Sequence, residues 1–307
     1  MSMRVVFLGT GAAVPTAMRS LPAVLVQRGN EQFLFDCGEA VQRQMIRAKV
    51  GLHKKMRIFL THMHGDHVLG LPGLLQTMAL MDRTKPVAVY APPGLTHFLE
   101  CMQETLQFQL TFEVQVFEVT GVGVICNEEE YSIEAVPSKH AIKSFAYAFV
   151  EKPRAGKFFP EKAKALGVPK GEAWGRLQHG REYVFPNAGQ VIKSEDVSGP
   201  PRQGRKIVYT GDTRPFDAFA SFAYNADLVI HEATFDDSLI ERAEADGHST
   251  PSEAATQAKK ANAKSLVLTH ISARYMDTAL LEEQAKRIFS NTIVAEDLLE
   301  LKLPLSE

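Results

Sequence analysis

Apolar residues recur along this chain with two different periods, and segments of the two kinds alternate. A period of two, bounded by glycine- or proline-containing turns, predicts strands, whereas apolar residues three and four positions apart predict helices. Strands are predicted at residues 4–8, 23–27, 32–36, 57–60, 87–90, 113–119, 123–126, 131–136, 144–150, 206–209, 227–230 and 265–269. Helices are predicted at residues 39–49, 93–106, 251–261 and 278–289, and at 66–81 with interruptions at Gly70 and Pro72. This order predicts an α/β (α+β) chain in which two packed sheets are flanked by helices.

The composition is that of an ordinary globular protein. Hydrophobic residues make up 45% of the 307 residues and charged residues 23%, which argues against disorder. No apolar stretch approaches the ~18 residues that span a bilayer, and the short run Val5–Leu8 is broken at once by Gly9, unlike a signal peptide. Three widely spaced cysteines form neither a disulfide framework nor a thiolate zinc site. We therefore expect a cytoplasmic protein with no membrane partner.

Residues 152–181 break the alternation of strands and helices. Prolines 153, 160 and 169 argue against a core strand or a long helix. Eight Lys and Arg face only two acids there, a local charge of +6, and the single tryptophan, Trp174, lies in the same segment. Two readings stand at this point, a solvated loop or an insertion that projects from a single domain spanning residues 1–307.

The segment Thr61-His62-Met63-His64-Gly65-Asp66-His67 follows a predicted strand directly. Three imidazoles and a carboxylate so close together could not all find partners as buried core groups. A solvated histidine-rich loop is the plain alternative. Because imidazole nitrogen and carboxylate oxygen are ligands of borderline divalent ions, the segment predicts a metal site.

Two metal ions need more ligands than this segment supplies, and three other predicted strands end in suitable residues. His140 follows the strand at 131–136, Asp212 follows the strand at 206–209, and His270 follows the strand at 265–269. Open α/β architectures usually keep their sites at the carboxyl ends of strands. Each of these residues alone is a weak signal, but together they predict one metal centre.

The box His62-x-His64-x-Asp66-His67, with His140, Asp212 and His270 downstream, resembles that of the metallo-β-lactamase superfamily. More specific motifs are similar to the ribonuclease Z family, which processes the 3′ end of tRNA. These motifs are Phe7-Leu-Gly-Thr-Gly-Ala-Ala-Val-Pro-Thr16, Phe35-Asp-Cys-Gly-Glu39, His231-Glu-Ala-Thr234, His248-Ser-Thr250 and Ala273-Arg-Tyr275. The segment at 152–181 resembles the flexible exosite arm of the family's short form. The resemblance implies an αβ/βα sandwich of two mixed sheets flanked by helices, with this arm inserted.

Three positions depart from the family's usual motifs. Glu172 stands after Gly171 where a proline is usual, Ser20 follows Arg19 in place of asparagine, and Ala40 follows Glu39 in place of glycine. None of the three is a predicted metal ligand. Glu172 adds a negative charge to the predicted RNA-binding arm.

The resemblance also implies roles for the site residues. One metal would be held by His62, His64 and His140 and the other by Asp66, His67 and His270, with Asp212 bridging them. The implied cofactors are two Zn²⁺ per subunit, with Mn²⁺ or another divalent ion as an alternative, and no nucleotide cofactor.

The expected general base is Asp66. The candidate proton donor is His248, oriented by Glu232. The plain alternative for His248 is a neighbour of a helix cap, because Ser249-Thr250-Pro251 reads as a helix start. Arg274 could contact a phosphate or form a structural ion pair. The predicted RNA-binding residues are Lys152, Arg154, Lys157, Lys162, Lys164, Lys170, Arg176, Arg181 and Arg274.

The expected activity is a zinc-dependent endoribonuclease that removes the 3′ trailer from precursor tRNA. It would leave a 3′-hydroxyl on the tRNA and a 5′-phosphate on the trailer, and the family implies a homodimer. Two alternatives remain: a small-molecule hydrolase, such as a phosphodiesterase or lactonase, on the same fold, or a non-catalytic, metal-stabilised RNA-binding protein. The basic arm favours the nuclease over the small-molecule enzyme.

The distribution of charge removes the objection that a chain of net charge −2 is a poor partner for RNA. Residues 43–57 contain six Lys and Arg and no acid, and residues 152–181 carry +6, so the remainder carries −2 − 6 − 6 = −14. Basic patches set in an acidic body meet the electrostatic requirement for an RNA partner.

Overall fold

Two seven-stranded sheets carry most of the regular structure, and the computed structural model describes residues 2–305. The strands are β1 (Met3–Gly9), β2 (Gly11–Ala12), β3 (Ala23–Arg28), β4 (Glu31–Phe35), β5 (Lys55–Phe59), β6 (Val87–Ala91), β7 (Val114–Glu118), β8 (Gly123–Asn127), β9 (Tyr131–Pro137), β10 (Phe145–Glu151), β11 (Tyr183–Val184), β12 (Val191–Ile192), β13 (Lys206–Tyr209), β14 (Leu228–Glu232), β15 (Leu266–Thr269), β16 (Ile271–Ser272), β17 (Thr292–Val294) and β18 (Glu300–Lys302). The first sheet has the order β18-β1-β3-β4-β5-β6-β7 and the second the order β17-β15-β14-β13-β10-β9-β8. The short strands β2 and β16 pair in parallel, and β11 pairs with β12.

Helices connect and cover these strands. They are α1 (Val41–Arg47), α2 (Gly65–Val68), α3 (Gly70–Leu80), α4 (Leu95–Leu106), α5 (Pro160–Ala165), α6 (Glu172–Gln178), α7 (Ser194–Val197), α8 (Phe219–Phe222), α9 (Ile240–Asp246), α10 (Pro251–Lys260) and α11 (Ala279–Lys286). No helix among residues 2–305 is long and apolar enough to span a bilayer.

Aromatic side chains join the two sheets face to face. Phe35 of β4 contacts Tyr147 of β10 and Tyr209 of β13, with ring centroids 6.3 and 5.8 Å apart. Phe33 of the same strand packs edge-on against Phe149 of β10 at 4.9 Å. Side chains two apart on a strand share a face, so these contacts place β4 over the centre of the second sheet.

The other face of the first sheet lies under helices. Leu34, between the two phenylalanines on β4, joins a buried cluster that includes Met45 of α1 and Leu74 of α3. The sheet is therefore apolar on both faces, as expected for a layer between a second sheet and a layer of helices. This arrangement confirms the predicted fold class of two sheets flanked by helices.

Each predicted strand corresponds to an observed strand whose ends differ from the predicted ones by no more than two residues. β13 has the predicted bounds. Within 66–81 the helix breaks at Leu69, between α2 and α3, whereas Gly70 and Pro72, where interruptions were predicted, are the first and third residues of α3. β17, β18 and α9 are among the elements that were not predicted from the sequence. The two strands are only three residues long, which is too short for a periodic pattern to be recognised.

The chain forms two compact units. The first runs from the amino terminus to Asn127 and resumes at Ile133–Phe149 and Lys206–Pro304. The second includes Glu128–Ser132, Val150–Arg205 and Leu305, and it contains the predicted arm segment, residues 152–181. It has a small core of its own, made by Ala163, Val168, Ala173, Leu177, Ile192 and Val197. Residues after the predicted arm thus share a core with residues inside it.

A close backbone approach fixes the start of α3 beside the loop that follows β4. Gly70 donates its N–H to the Cys37 carbonyl at 3.0 Å, and Cys37 donates to the His67 carbonyl at 2.8 Å. A Cβ on Gly70 would lie 1.9 Å from the Gly38 carbonyl oxygen. Only glycine fits there without a shift of the backbone.

We expect Gly70→Ala to lower the free energy of unfolding by about 1–3 kcal/mol, because the added methyl group forces two backbone segments apart. Urea denaturation followed by circular dichroism measures the change. The control is Gly121→Ala, where an added Cβ meets no atom within 4 Å, and it should change stability little. Equal stabilities of the two variants would contradict the assignment of a steric role to Gly70.

Candidate metal centre

Polar side chains at or just after the ends of five strands of the first unit lie close together. Thr61 to His67 follow β5, His140 follows β9, Asp212 follows β13, Glu232 ends β14 and His270 follows β15. The last three strands are parallel neighbours, so their carboxyl ends meet at one edge of the sheet.

The predicted metal ligands lie together in two groups. His62, His64, His140 and Asp212 form one group and Asp66, His67 and His270 the other, with the candidate ligand atoms of each group within 4.8 Å of one another. All seven residues that the sequence analysis singled out as ligands are thus brought together.

Asp212 lies between the two groups. Its Oδ2 is 3.7 Å from His62 Nε2, whereas its Oδ1 is 3.4 Å from His67 Nε2 and 3.2 Å from His270 Nε2. One carboxylate therefore reaches both groups, which is the position that a bridging ligand requires.

Several of these atoms are buried without a hydrogen bond. Within residues 2–305, His67 Nε2, His270 Nε2 and Asp212 Oδ1 have no hydrogen-bond partner, although they lie close to one another. Buried polar atoms are costly when they are unpaired. A divalent cation would satisfy all three at once, and nitrogen and carboxylate oxygen are the donors that zinc and similar ions take. The residues present fit a metal.

In four of the five histidines predicted as ligands, the second ring nitrogen contacts another protein group. His67 Nδ1 is 2.8 Å from Asp36, and His62 Nδ1 is 3.0 Å from the Thr61 hydroxyl. His140 Nδ1 donates to the Gly247 carbonyl at 2.9 Å, and His270 Nδ1 is 2.9 Å from the Thr234 hydroxyl. These contacts leave each Nε2 facing the centre. A hydrogen bond to the other ring nitrogen is the usual support of a metal-binding histidine.

Burial keeps part of the histidine cluster neutral. It lowers the pKa of His62 to about 2, and the neighbouring His67 adds to the effect. Burial and His140 likewise lower the pKa of His64. Neutral imidazole is the form that binds a metal, so these two rings need not lose a proton first.

His248 and Glu232 form a pair at the edge of the centre. His248 Nδ1 lies 3.0 Å from Glu232 Oε1, and its side chain keeps 16% of its exposure, whereas Glu232 is fully buried. Glu232 also accepts hydrogen bonds from the backbone N–H groups of Thr213 and Thr234. Burial opposes a charge on His248, but Glu232 raises its pKa to about 9. Cations bound nearby would act in the opposite direction.

The sequence analysis missed Asp36, which supports the centre from beneath. Its carboxylate accepts the Thr61 N–H at 2.8 Å and the Tyr209 hydroxyl at 2.8 Å, besides contacting His67. Asp36 has φ 56°, a left-handed conformation that Asp tolerates better than most residues. The sequence feature that could have pointed to Asp36 is its position directly after a strand, in the motif Phe35-Asp-Cys-Gly-Glu39.

Arg214 is a second residue that sequence reasoning missed. Its guanidinium pairs with both carboxylate oxygens of Glu253, at 2.6 and 2.5 Å, and donates to the His248 carbonyl at 2.7 Å. Glu253 also closes the capping box at the start of α10. The loop after Asp212 is thereby tied to the loop that carries His248. The helix start predicted at Ser249-Thr250-Pro251 is confirmed, because α10 begins at Pro251 and Thr250 is its N-cap.

The predicted RNA-binding residues fall in two places. Arg274 is exposed on the first unit, where its guanidinium lies 4.9 Å from the Phe235 ring centroid and Nε donates to the Ser272 hydroxyl. The others lie in the second unit, where Lys152 and Arg154 are half-buried. The exposed ones are Lys157, Lys162, Lys164, Lys170, Arg176 and Arg181.

The fold and the His/Asp centre define a protein of the metallo-β-lactamase class. Residues 172–271 match the family model "Beta-lactamase superfamily domain", and residues 3–156 match the model "Anti-Pycsar protein Apyc1". The metallo-β-lactamase-fold protein YhfI from Bacillus subtilis has the same fold, with a TM-score of 0.69 at 20% identity over 98% of this chain and 99% of that one.

More specific relatives match over the full length. The chain is 45% identical to Ribonuclease Z of Methanosarcina acetivorans over 98% of both chains. It is 46% identical to Ribonuclease Z of Haloferax volcanii, over 100% of this chain and 97% of that one. The crystal structure of human tRNase Z, short form, superposes with a TM-score of 0.73 at 30% identity, over 98% of this chain and 100% of that one. The chain belongs to the ribonuclease Z family, which confirms the resemblance found in the motifs.

We expect Asp36→Asn to weaken divalent-metal binding by about 10–100-fold, because an amide can no longer hold the His67 ring as a carboxylate does. Competition with a metal-binding dye measures the affinity. Tyr209→Phe removes one hydrogen bond to Asp36 but leaves the contact with His67, so this control should bind metal nearly as the wild type does. Unchanged affinity in a folded Asp36→Asn variant would contradict the supporting role.

Proposed function

We propose that this protein is an endoribonuclease that cuts the 3′ trailer from precursor tRNA at a centre holding two Zn²⁺ ions. The observation that carries the proposal is Asp212 between two complete donor groups, in a chain that is 45% identical over its length to a protein named Ribonuclease Z. The centre has the donor groups of a two-metal hydrolase. The RNA substrate is inferred from the relatives, which are named Ribonuclease Z.

The seven residues of the centre divide the metal binding among them. In the proposed arrangement His62, His64 and His140 would hold one ion, Asp66, His67 and His270 would hold the other, and Asp212 would serve both. Two divalent ions bound there would lower the pKa of a water molecule and neutralise charge on the phosphate. Mn²⁺ would serve in place of Zn²⁺.

Asp66 is positioned to orient the attacking water and to accept its proton. Its Oδ2 accepts a hydrogen bond from the Ala13 N–H at 3.0 Å and lies 3.5 Å from His67 Nε2 and 3.6 Å from His270 Nε2. The backbone donor fixes the carboxylate, because it does not depend on a side-chain rotamer. Asp66 is the proposed general base.

His248 is positioned to protonate the leaving oxygen. Its Nδ1 faces Glu232, so Nε2 is the ring nitrogen available to a substrate. A protonated His248 can give its proton to the 3′-oxygen of the tRNA as the bond to phosphorus breaks. The tRNA then ends in a 3′-hydroxyl and the trailer keeps a 5′-phosphate.

The second unit is proposed to bind the backbone of the tRNA. Residues 152–181 carry a net charge of +6, and six of their Lys and Arg side chains are exposed. Cations matched to backbone phosphates bind RNA by releasing counterions, whatever the nucleotide sequence. The homodimer implied by the family stays a prediction.

Purified protein with its metal should cut a precursor tRNA once at the start of the trailer, and excess chelator should abolish the cut. His248→Ala should lower kcat by about 10²–10⁴-fold and keep the bound metal, because it removes only the proton donor. Asp212→Ala should lose both activity and metal. Gel analysis of the products and metal content by mass spectrometry provide the two measurements.

Three results would overturn this proposal. Hydrolysis of small phosphodiesters or lactones without any cut in precursor tRNA would favour a small-molecule hydrolase. Tight tRNA binding with no cut, in protein with full metal content, would favour a structural metal centre. Full activity of His248→Ala would remove this residue from the acid role.

Reversing three exposed charges of the second unit, in Lys162→Glu/Lys164→Glu/Lys170→Glu, should raise KM for precursor tRNA at least tenfold at about 0.15 M salt. Hydrolysis of bis-p-nitrophenyl phosphate should not change, because that substrate has no second phosphate to bind. The control, Lys259→Glu/Lys260→Glu/Lys302→Glu, reverses three exposed lysines elsewhere in the chain. Equal loss with both substrates, or equal loss in the control, would contradict an exosite in this segment.

A further inference from the structure

The second unit contains two stretches of chain that pair with each other. Residues 151–159 lie antiparallel to residues 197–205, and we call these two stretches the stalk and residues 160–196 between them the head. A buried ion pair, Glu151 with Arg205, joins the two strands of the stalk at the end far from the head. We propose that this pair fixes the register of the stalk and thereby positions the exposed cations of the head for tRNA. The inference rests on the proposed nuclease function.

The backbone contacts of the stalk keep one register from end to end. The residues that face each other are Glu151 and Arg205, Arg154 and Arg202, Lys157 and Gly199, Phe158 and Ser198, and Phe159 and Val197. Each step along one strand is matched by one step back along the other, so the register is constant. The two strands also approach closely, because a Cβ on Gly156 would lie 1.9 Å from the Gly199 carbonyl oxygen.

The Glu151–Arg205 pair is buried and makes two parallel contacts. Arg205 Nε donates to Glu151 Oε2 and Arg205 Nη2 donates to Oε1, both at 2.7 Å, and the backbone N–H of Arg205 reaches Oε2 at 3.2 Å. A buried ion pair adds little stability, because both charges lose their hydration, and its best-attested use is to select one register. A slip of one residue would separate Glu151 from Arg205 and turn the side chains of one strand to the opposite face. The correct register is thus the one that pairs both charges.

The register of the stalk matters to the head because the stalk supplies part of its core. Val197 belongs to the buried cluster of the second unit, and Phe158 packs against that cluster with its ring centroid 5.4 Å from that of Trp174. Trp174 Nε1 in turn donates to the Val168 carbonyl at 3.0 Å. A slipped stalk would turn Phe158 away from Trp174, so the ion pair at one end of the stalk controls the packing at the other.

Most of the exposed cations of the second unit stand on this head. Lys162 and Lys164 are on α5 and Arg176 is on α6, and both helices contribute side chains to the same core. Cations whose spacing is already fixed lose less conformational entropy when they bind a row of phosphates. A head on a slipped stalk carries the same charge in several arrangements, of which only one fits the tRNA. Fixing the register therefore lowers KM for tRNA.

The first measurement replaces the ion pair by apolar side chains, in Glu151→Leu/Arg205→Met, which we call the apolar variant. It should stay folded, as circular dichroism will report, because no buried charge is left unpaired. KM for precursor tRNA should rise about tenfold, since the head must then be ordered when tRNA binds. The kcat for precursor tRNA and the hydrolysis of bis-p-nitrophenyl phosphate should not change, because neither depends on the arrangement of the head.

The control is Arg4→Met/Glu300→Leu, which removes an ion pair from the first unit and should leave KM unchanged. Unchanged KM in the folded apolar variant, or an equal loss with both substrates, would overturn the inference. Arg205→Lys is the second variant, because it keeps the charge but loses the two parallel contacts. It should raise KM less than the apolar variant does. If the apolar variant does not fold, unchanged KM in Arg205→Lys overturns the inference in its place.

The second measurement restores the register with a disulfide. Ala155 faces Pro201 in the constant register, next to a pair that exchanges two backbone hydrogen bonds, and such a position brings two strands close enough for a disulfide. Ala155→Cys/Pro201→Cys is added to the apolar variant, with Cys101→Ser throughout to remove an exposed thiol. Oxidation by glutathione disulfide should return KM to the wild-type value, and reduction should raise it again. No recovery in fully cross-linked protein would overturn the inference, as would a failure of the same two cysteines to cross-link in the stalk that keeps its ion pair.

The third measurement is tRNA binding, which separates this inference from the proposed function. Fluorescein-labelled precursor tRNA is titrated with His248→Ala protein that carries its metal, and its anisotropy is followed. Adding the apolar substitutions should weaken binding about tenfold, and unchanged binding would overturn the inference. If the wild type does not cut precursor tRNA, the proposed function fails, and the binding result still decides whether the ion pair positions the head for tRNA.

Discussion

The buried carboxylate of Asp36 is the constraint on which the metal centre depends. It has no exposure to solvent and lies beneath three strand ends. From there it binds the first residue of the histidine segment, Thr61, the ring of His67 and the hydroxyl of Tyr209 on the second sheet. A buried charge requires this many partners. The same contacts that satisfy Asp36 therefore set the distance between the sheets at the point where the ligands meet.

The outer contacts explain how loops can hold the predicted ligands in fixed orientations. Hydroxyl groups, backbone carbonyls and a carboxylate each hold one ring nitrogen of His62, His67, His140 and His270, so that the other nitrogen faces the centre. Arg214 and Glu253 tie the His248 loop to the Asp212 loop in a similar way. Each loop is thus held by a second loop from a different part of the chain, and the geometry is a property of the assembled fold.

Basic residues are concentrated in two segments of the chain, as expected for an enzyme that acts on RNA. The arm segment at residues 152–181 carries +6, whereas the whole chain carries −2. Two of the six cations at residues 43–57 serve the fold, because Lys55 and Arg57 pair with Glu31. Arg43 and Arg47 are exposed on α1 instead. A basic run in the sequence therefore divides, in the structure, into structural and exposed parts.

The sequence by itself determined the features that are local. The histidine segment after β5, the strand-ending His140, Asp212 and His270, and the two-sheet pattern with helices all follow from period and spacing over a few residues. What it could not determine is which groups that lie far apart in the sequence meet in space. Asp36 with Tyr209, Ala13 with Asp66, and the pairing of β2 with β16 depend on how the strands are ordered in space. A backbone N–H or a lone aspartate has no distinctive sequence pattern, and only the packing of the sheets gives it a partner.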